Sequence, residues 1–281
     1  MSFSGEVVTS SQNKYVSLAR GLANKKNREN ERLFRFDGIK LMCEAFKKGV
    51  RISFILASEG EWGFVLEKAE KLYGVTESDI YCPVIFVERS LFERLSEEMA
   101  PEGVICVAEY MRDMHFSIKT GEDFSCDNDE SILILESVRD PQNVGAIVRV
   151  AAAFGVDRIL MSSDCADVYN SKTIRASMGT VFGIRIHKSS DMPVLIRALR
   201  NSGRRVFAAA LDRDSKKLGE FKIEKGDCVV IGNEGHGLTE TAISACNGTV
   251  FIPMSAEVES LNAATAAAVL VWEFFGKGGA D

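Results

Sequence analysis

The stretch Asp140-Pro-Gln-Asn-Val-Gly-Ala-Ile-Val-Arg149 indicates the fold and the function of the chain more directly than any other. It follows an apolar run at residues 132–135 that is typical of a buried strand, and it enters a helix expected over residues 143–154. Arg149 is the only charged residue of that helix. Because burying an unpaired guanidinium is costly, we expect Arg149 to meet a ligand or a structural partner, Glu136 or Asp140. The residues alone leave both alternatives open.

Length and charge limit the classes of protein to which this chain can belong. The 281 residues suffice for one large or two ordinary domains, and a composition with 46% hydrophobic and 26% charged residues is that of an ordinary globular protein. The net charge of −6 does not predict a polyanionic partner. Between residues 11 and 51, however, basic residues outnumber acidic ones, which favours either an RNA-binding arm or a solvated helix face. The candidate RNA-binding residues are Lys14, Lys25, Lys26, Arg28 and Arg32.

Cysteine usage and the lack of targeting signals favour a cytoplasmic protein. The seven cysteines form no C-x-x-C pair, which predicts buried, reduced thiols. With only three histidines, no metal site is expected. The first residues lack the apolar core of a signal peptide, and the longest apolar run, residues 263–272, is too short to cross a bilayer.

Strands and helices alternate along the chain, which predicts an α/β fold. Residues 111–130 are polar and acidic without a clear period, so we interpret them as a linker between a domain at residues 1–110 and a domain at 131–281. In the second domain, short apolar strands separated by helices indicate a mostly parallel sheet covered on both faces. The strands are expected at residues 132–136, 158–161, 184–187, 205–210, 228–231 and 250–252.

Polar or glycine-rich loops follow three of these strands, where open α/β sheets bind ligands. Asn143 and Gly145 are expected at the turn after the first strand, where an amide and a close backbone approach suit ligand contact. The second loop, Ile231-Gly-Asn-Glu-Gly-His-Gly-Leu238, is neither a Walker loop nor a dinucleotide fingerprint. A turn that needs positive φ explains it without a ligand.

The third loop, Ile252-Pro-Met-Ser-Ala-Glu-Val-Glu-Ser-Leu-Asn262, precedes the last expected helix, at residues 261–275. Ser260 is the expected N-cap of that helix, and Asn262 can form local hydrogen bonds in its first turn. A loop that enters an exposed helix N-terminus is also suited to form a ligand wall. The sequence of this loop is therefore consistent with a structural and with a binding role.

Together, the three loops resemble the motifs of the SpoU/TrmH family of RNA ribose 2′-O-methyltransferases, within the SPOUT superfamily. Asn143-x-Gly145-x-x-x-Arg149 is similar to the first motif, Gly232-Asn-Glu-Gly-x-Gly-Leu238 to the second, and Ile252-Pro-Met with Ser260-Leu-Asn262 to the third. Arg175-Ala-Ser-Met-Gly179 resembles the intervening segment of the family. The resemblance covers residues 131–275, and residues 12–109 resemble the small ribosomal-protein-like RNA-binding domain that often precedes the catalytic domain.

The resemblance implies a specific architecture and site. The catalytic domain is expected to be an α/β domain with a C-terminal trefoil knot, a known exception to the rule that chains avoid knots, preceded by a small α/β RNA-binding domain. S-adenosylmethionine is expected in the knot loops, and the active sites at a homodimer interface. The implied cofactor contacts are Ala209, Ala210, Leu211, Gly232, Asn233, Gly235, Ile252, Met254 and Leu261. The implied catalytic residues are Asn143, Arg149, Glu234, Ser260 and Asn262.

The implied activity is 2′-O-methylation of a ribose in structured RNA. The N-terminal domain favours ribosomal over transfer RNA, although a transfer-RNA enzyme and a drug-resistance ribosomal-RNA enzyme share the architecture. A non-catalytic RNA-binding or ribosome-assembly factor is the alternative from another class. It is suggested by Ala256, which stands where the family usually has glycine, and by Glu257 and Glu259 near the expected RNA path. An alanine at positive φ would disfavour the loop by roughly 1 kcal/mol and weaken cofactor binding.

The chemistry assigns a role to the arginine. The sulfonium cofactor is a good methyl donor, so the protein mainly has to align the 2′-oxygen with it. Because a guanidinium stays protonated, Arg149 is expected to clamp an RNA phosphate and orient the hydroxyl. The proton of the 2′-hydroxyl is expected to pass to Glu234 or to bulk water.

Overall fold

The computed structural model describes residues 6–111, 115–118 (backbone only), 126–127, 129–212, 214–255, 257 and 260–276. The chain forms two compact units. Unit 1 comprises Met1–Met111 and Tyr169–Phe182, and unit 2 comprises Arg112–Val168 and Gly183–Asp281. Each unit has its own sheet and its own apolar core.

Unit 1 is built around a mixed sheet. Its elements are α1 (Lys14–Gly21), α2 (Lys25–Glu31), β1 (Leu33–Asp37), α3 (Ile39–Lys47), β2 (Ile52–Ser58), α4 (Trp62–Tyr73), β3 (Val84–Val87), α5 (Arg89–Leu95), β4 (Val104–Glu109) and, later in the chain, α7 (Ser171–Ala176). The strand order is β1-β4-β2-β3, with β4 antiparallel to both of its neighbours and β2 parallel to β3. Apolar residues of α1 and α5 pack on β2 and β4 to form the core.

Unit 2 contains the larger sheet. Its elements are β5 (His115–Ile118), β6 (Ile132–Leu135), α6 (Pro141–Ala153), β7 (Arg158–Ser162), β8 (Arg185–Ser189), α8 (Met192–Asn201), β9 (Val206–Ala209), β10 (Lys216–Lys217), β11 (Cys228–Ile231), α9 (Glu240–Ala245), β12 (Gly248–Phe251) and α10 (Ala263–Phe275). The order is β10-β12-β9-β11-β6-β7-β8-β5, and the strands pair in parallel throughout. The expected α/β class with a mostly parallel sheet is confirmed.

Both faces of this sheet are covered. Cys228 and Val230 point into a core formed with α8 and α9. Val229 and Ile231 alternate to the opposite face, where they are also buried and where α10 contacts β11. Strands buried on both sides explain why the sequence shows continuous apolar runs rather than alternation.

Two segments differ from the sequence prediction. Residues 111–130, interpreted as a linker, include β5, which pairs with β8 at the edge of the sheet. The segment Tyr169–Phe182, expected within the second domain, clusters with unit 1. Its Tyr169 ring lies 4.8 Å from the ring of Phe34 on β1. In both cases the contacting residues are far apart in the sequence, so a local sequence pattern does not reveal the contact.

The cysteines are free thiols. Cys43, Cys106, Cys165, Cys228 and Cys246 are buried. Burial raises the pKa of Cys228 to about 12, so this thiol stays protonated near neutral pH and is chemically inert. Among the helices of the described residues, none is long and apolar enough to cross a membrane.

Candidate functional site

A cavity of about 290 Å³, here called the apolar cavity, opens at the carboxyl ends of β9, β11 and β12. These three strands are adjacent in the sheet, so the loops that follow them meet at one edge. The first turns of α10 complete the wall. Glu234 is the only charged residue among the described residues that line the cavity. Two apolar side chains remain exposed there, Leu211 at 81% and Met254 at 43%, which is typical of a surface that receives a ligand or a partner.

The cavity collects most of the residues that the sequence resemblance implied. All of the implied cofactor contacts line it except Gly235, and the implied catalytic residues Glu234 and Ser260 line it as well. Their roles stay predictions. Further lining residues were not predicted, because in the sequence the strand ends and the face of α10 look like ordinary core. These residues are Ile231, Gly237, Val250, Phe251, Ala263, Ala266 and Leu270. Only Ala263, Ala266 and Leu270 carry a sequence signal, which is their helical spacing.

The loop after β11 is closed by its own backbone. Asn233 N donates to Gly237 O at 3.1 Å, and Gly237 N donates back to Asn233 O at 2.9 Å. The Asn233 Oδ1 atom accepts from the backbone N–H groups of Gly235 and His236, at 2.8 and 3.2 Å. Gly237 has a φ of 66°, which accounts for one glycine of the motif by backbone geometry alone.

Gly232 is required for a different reason. A Cβ atom at this position would lie 2.5 Å from the carbonyl carbon of Gly237 and 2.7 Å from the N of Leu238. Backbone atoms cannot yield as a flexible side chain can, so any side chain at Gly232 deforms the loop. At Gly235 the nearest atom to an added Cβ is the Asn233 Oδ1 at 3.5 Å, an ordinary contact. The two glycines of one motif therefore differ in what they tolerate.

The loop is braced from the side of β6. Asn233 Nδ2 donates to the carbonyl of Ser137 at 2.8 Å, and Ser137 Oγ donates to Asp164 at 2.7 Å. Burial favours the neutral form of Asp164, but hydrogen bonds from Ser162, Ser137 and Arg139 prevail and lower its pKa from 3.8 to about 2. Asp164 is thus an ionised anchor beneath the first and second motifs.

A second brace lies at the far end of the loop. The buried carboxylate of Glu136 accepts from the backbone N and the hydroxyl of Thr239, both at 2.9 Å. Thr239 is the N-cap of α9, because its hydroxyl also accepts from Ala242 N at 3.2 Å. Glu136 is therefore paired with Thr239, and the ion pair with Arg149 that the sequence suggests is wrong.

Arg149 is exposed on α6 rather than buried. Its other suggested partner, Asp140, caps α6 by accepting from Gln142 N at 2.8 Å. Within the described part of the chain, Arg149 forms no ion pair. The expectation of a buried guanidinium is wrong because the apolar face of α6 is narrower than its composition suggests. The guanidinium is accessible to a molecule outside the chain.

Asn143 joins the first motif to the second. Its Nδ2 donates to Glu234 Oε1 at 2.5 Å, so an amide and a carboxylate meet at the mouth of the apolar cavity. Asn143 and Gly145 were expected at a turn, but both lie within α6, which begins at Pro141. Proline at the first helical position, preceded by the Asp140 cap, starts the helix two residues early.

In the third motif, the N-cap of α10 differs from the residue expected from the sequence. Asn262, not Ser260, is the N-cap of α10, with its Oδ1 accepting from Thr265 N at 2.7 Å. The helix therefore begins at Ala263, and Ser260 is left free to line the cavity. Ala256 and Glu259 lie outside the described residues. Glu257 is exposed, and its N donates to Ser255 Oγ at 3.3 Å.

The cationic arm consists of α1 and α2, each capped by an asparagine. The expected RNA-binding residues Lys14, Lys25, Lys26 and Arg32 are exposed. Arg28 is not; it is 3% exposed, and its Nη1 donates to the carbonyls of Leu22 and Ala23, both at 2.9 Å. The guanidinium satisfies carbonyls at the end of α1 that would otherwise lack partners, which a charge count does not reveal.

The chain is similar to known RNA methyltransferases in sequence and in structure. Residues 130–272 match the SpoU rRNA Methylase family, and residues 13–106 match the MRM3-like substrate binding domain. The chain is 24% identical to a 23S rRNA (guanosine-2′-O)-methyltransferase of Bacillus subtilis, with 96% of this chain and 99% of the relative covered. It is 29% identical to a 23S rRNA (uridine-2′-O)-methyltransferase of Streptomyces viridochromogenes, with 65% and 63% covered.

Among solved structures, an AdoMet-bound rRNA methyltransferase of Sinorhizobium meliloti superposes with a TM-score of 0.77 at 27% identity, with 95% of this chain and 96% of that chain covered. The similarity extends over both units and includes a protein that holds the expected cofactor. The fold and the resemblance inferred from three short motifs are confirmed, and the chain belongs to the SpoU rRNA methylase family.

Proposed function

We propose that this protein transfers a methyl group from S-adenosylmethionine to the 2′-oxygen of a ribose in ribosomal RNA. The observation that carries the proposal is the apolar cavity, whose wall combines the loops after three adjacent strands with the Asn143–Glu234 pair at its mouth. The almost wholly apolar lining side chains suit the faces of the adenine ring of S-adenosylmethionine, and the loops supply backbone N–H and C=O groups for its polar atoms. The lack of a side chain at Gly232 lets the loop backbone pack against itself at Gly237 and Leu238, which fixes this part of the wall.

The residues at the mouth account for the remaining chemistry. The cofactor supplies an activated methyl group, so the chain has to hold the ribose and remove a proton. As the new oxygen–carbon bond forms and the sulfur–carbon bond breaks, the 2′-hydroxyl proton leaves to the exposed Glu234 carboxylate or to water. Asn143 orients this carboxylate through its 2.5 Å hydrogen bond.

Arg149 is proposed to act on the site of a second subunit. It lies six residues after Asn143, which in an α-helix is about 9 Å along the axis and roughly 120° around it. The two side chains thus point to different sides of α6, and a ribose beside Glu234 is out of line with Arg149 of the same chain. A homodimer supplies the missing arginine from the partner.

An exposed apolar patch supports the dimer. On α10, Trp272 is 48% and Val269 is 38% exposed. The ring of Phe154, at the end of α6, lies 5.3 Å from that of Trp272. Such a patch on the helix pair α6 and α10 favours burial against a second copy.

Ribosomal RNA is the proposed substrate because unit 1 matches a substrate-binding domain and because a relative that covers 96% of the chain is named for 23S rRNA. One relative is named for guanosine and another for uridine, so the proposed substrate is defined by its ribose and not by one base. The free thiols suit the reducing cytoplasm, where ribosomes are assembled.

Methyl transfer from labelled S-adenosylmethionine to ribosomal RNA tests the proposal, with 2′-O-methylation identified by the resistance of the modified linkage to alkali. Removing Arg149 takes away a fixed cation that orients the reacting group, so Arg149→Ala is expected to lose roughly 10²–10³-fold in rate. Arg197→Ala, which removes an exposed arginine on α8, is the matched control and should retain full activity. Equal activity of both variants would contradict the role of Arg149.

Mixing two impaired variants tests the dimer. At S-adenosylmethionine concentrations well below the Kd of Gly232→Ala, Arg149→Ala and Gly232→Ala chains have low activity alone and are expected to reach roughly a quarter of wild-type activity when their subunits exchange, because half of the dimers then contain one intact site. No recovery, with mixed dimers demonstrated, would place Arg149 in the site of its own subunit. Absence of transfer by the wild type would favour the non-catalytic alternative.

A further inference from the structure

A second cavity, here called the polar cavity, lies entirely within unit 1. It has a volume of about 220 Å³ and is bounded by the turn between α1 and α2, by β1, and by the residues that begin α7. Its charged lining residues, among those described, are Arg28, Arg35, Lys172 and Glu97. Three cations line the cavity beside Glu97, and the buried carboxylate of Asp37 lies 4.0 Å from Arg35, so cations outnumber carboxylates here in a chain whose net charge is −6. The local field of this cavity favours an anion.

The inner wall is rigid. Arg35 is 3% exposed, and its guanidinium donates to the carbonyls of Ala19 at 3.3 Å and Leu95 at 2.9 Å. Its Nε is buried without a hydrogen-bond partner among the described residues. Arg28 is fixed in the same way by carbonyls at the end of α1. Two guanidinium groups are thus held in place before any ligand arrives, which lowers the entropic cost of binding.

The opening of the polar cavity allows an incoming anion to replace an internal carboxylate. Lys172 and Ala23 are exposed, so a ligand reaches the cavity from solvent. Glu97 lies on an exposed bend after α5; it accepts from Ser171 Oγ and lies 3.2 Å from Arg35 Nη2. An incoming anion can take over the contact with Arg35 while the Glu97 side chain turns to solvent. The carboxylate then serves as an internal stand-in for the ligand.

We propose that the polar cavity binds a backbone phosphate of the RNA substrate, an assignment that rests on the proposed function. Its volume of about 220 Å³ and its charged lining suit one small anionic group. The two non-bridging oxygen atoms of a backbone phosphate are strong hydrogen-bond acceptors, so they can accept from Lys172 and from a guanidinium of the inner wall together. Lys25 and Lys26 are exposed at the start of the adjoining α2, where neighbouring phosphates of the same strand would pass.

The salt dependence of RNA binding tests this assignment. For a single-stranded RNA oligomer of mixed sequence, Lys172→Ala is expected to weaken binding and to reduce the slope of log K against log salt concentration by about 0.7, the value for one phosphate contact. Lys71→Ala, an exposed lysine of α4 in the same unit, is the matched control and should change neither quantity. Ala23→Glu adds a negative charge at the mouth without removing a cation and should also weaken binding. Wild-type affinity and slope in both Lys172→Ala and Ala23→Glu would overturn the proposal.

Binding of inorganic phosphate distinguishes a site for RNA phosphates from a site for a free anion. At constant ionic strength, phosphate stabilises folded proteins in general, so the quantity of interest is the difference in Tm shift between Lys172→Ala and Lys71→Ala. A smaller shift in Lys172→Ala, together with the altered RNA slope, supports a phosphate site used by RNA. A smaller shift with an unchanged RNA slope would assign the cavity to a free anion and overturn the RNA assignment. S-adenosylmethionine titration and methyl transfer by the wild type report the proposed function independently of this site.

Discussion

The two cavities of this protein are built in opposite ways. The apolar cavity of unit 2 is formed by loop backbone and small or apolar side chains, with Glu234 as its one charged lining residue among those described. The polar cavity of unit 1 is formed by charged side chains that also hold the fold together, as Arg35 does by joining α1 and α5. A site made of backbone tolerates side-chain changes except where a glycine is sterically required. A site made of buried charges couples binding to stability.

The largest effect is expected in the polar cavity. Arg35→Met leaves the buried carboxylate of Asp37 without its cation and frees the carbonyls of Ala19 and Leu95. Removing one member of a buried charged set should lower the free energy of unfolding by about 3–5 kcal/mol. Urea unfolding followed by the emission of Trp62, in a Trp272→Phe background, reports unit 1.

The matched control for that change is an exposed pair. Arg51 is 83% exposed and lies 3.9 Å from Glu109, so Arg51→Met should change the free energy of unfolding by less than about 1 kcal/mol. Similar losses in Arg35→Met and Arg51→Met would show that burial does not distinguish the two arginines. The polar cavity would then not depend on structural charges.

In the apolar cavity, one added methyl group is expected to weaken the binding of S-adenosylmethionine. Gly232→Ala places a carbon 2.5 Å from backbone, so the loop must move and affinity for S-adenosylmethionine should fall at least about tenfold, or roughly 1.4 kcal/mol. Gly235→Ala, three residues further along the same motif, meets only an ordinary contact at 3.5 Å and should bind nearly as wild type. Calorimetric titration of both variants measures the difference. Equal losses would mean that the loop does not form the cofactor wall in this way.

The smallest effect concerns the ionised anchor beneath the loop. Because the pKa of Asp164 is lowered from 3.8 to about 2, its carboxylate stabilises the folded state above pH 4, and this contribution is lost as the pH falls from about 4 to about 2. Asp164→Asn should therefore flatten the acid limb of stability against pH while leaving the slope near neutral pH unchanged. Thermal unfolding over that pH range measures it. An unchanged acid limb would show that Asp164 titrates alike in the folded and unfolded states.

Much of unit 2 was predictable because its information is local. Apolar runs identify β6, β11 and β12, with glycine or proline close to the ends of the last two, and the loops after them carry motifs whose order and spacing identify the family. Since parallel strands end at one edge, loops far apart in sequence had to meet. That geometry explains why the implied cofactor contacts, Gly235 excepted, line a single cavity.

What escaped prediction depends on contacts between distant residues. The burial of Arg28 follows from carbonyls at the end of α1, and the strand β5 exists only because β8 lies beside it. Arg149 is exposed because it lies outside the narrow apolar face of α6. A single sequence shows charge and propensity at a position but not which neighbour satisfies it.

Titration of the purified protein with S-adenosylmethionine tests the central claim, that the apolar cavity is a cofactor site, most directly. We expect saturable binding in the micromolar range with one site per chain, retained in Gly235→Ala and weakened in Gly232→Ala. The titration is repeated with ribosomal RNA present, so that a site completed by RNA is also detected. Absence of binding under both conditions, or equal affinity of the two glycine variants, would contradict the claim.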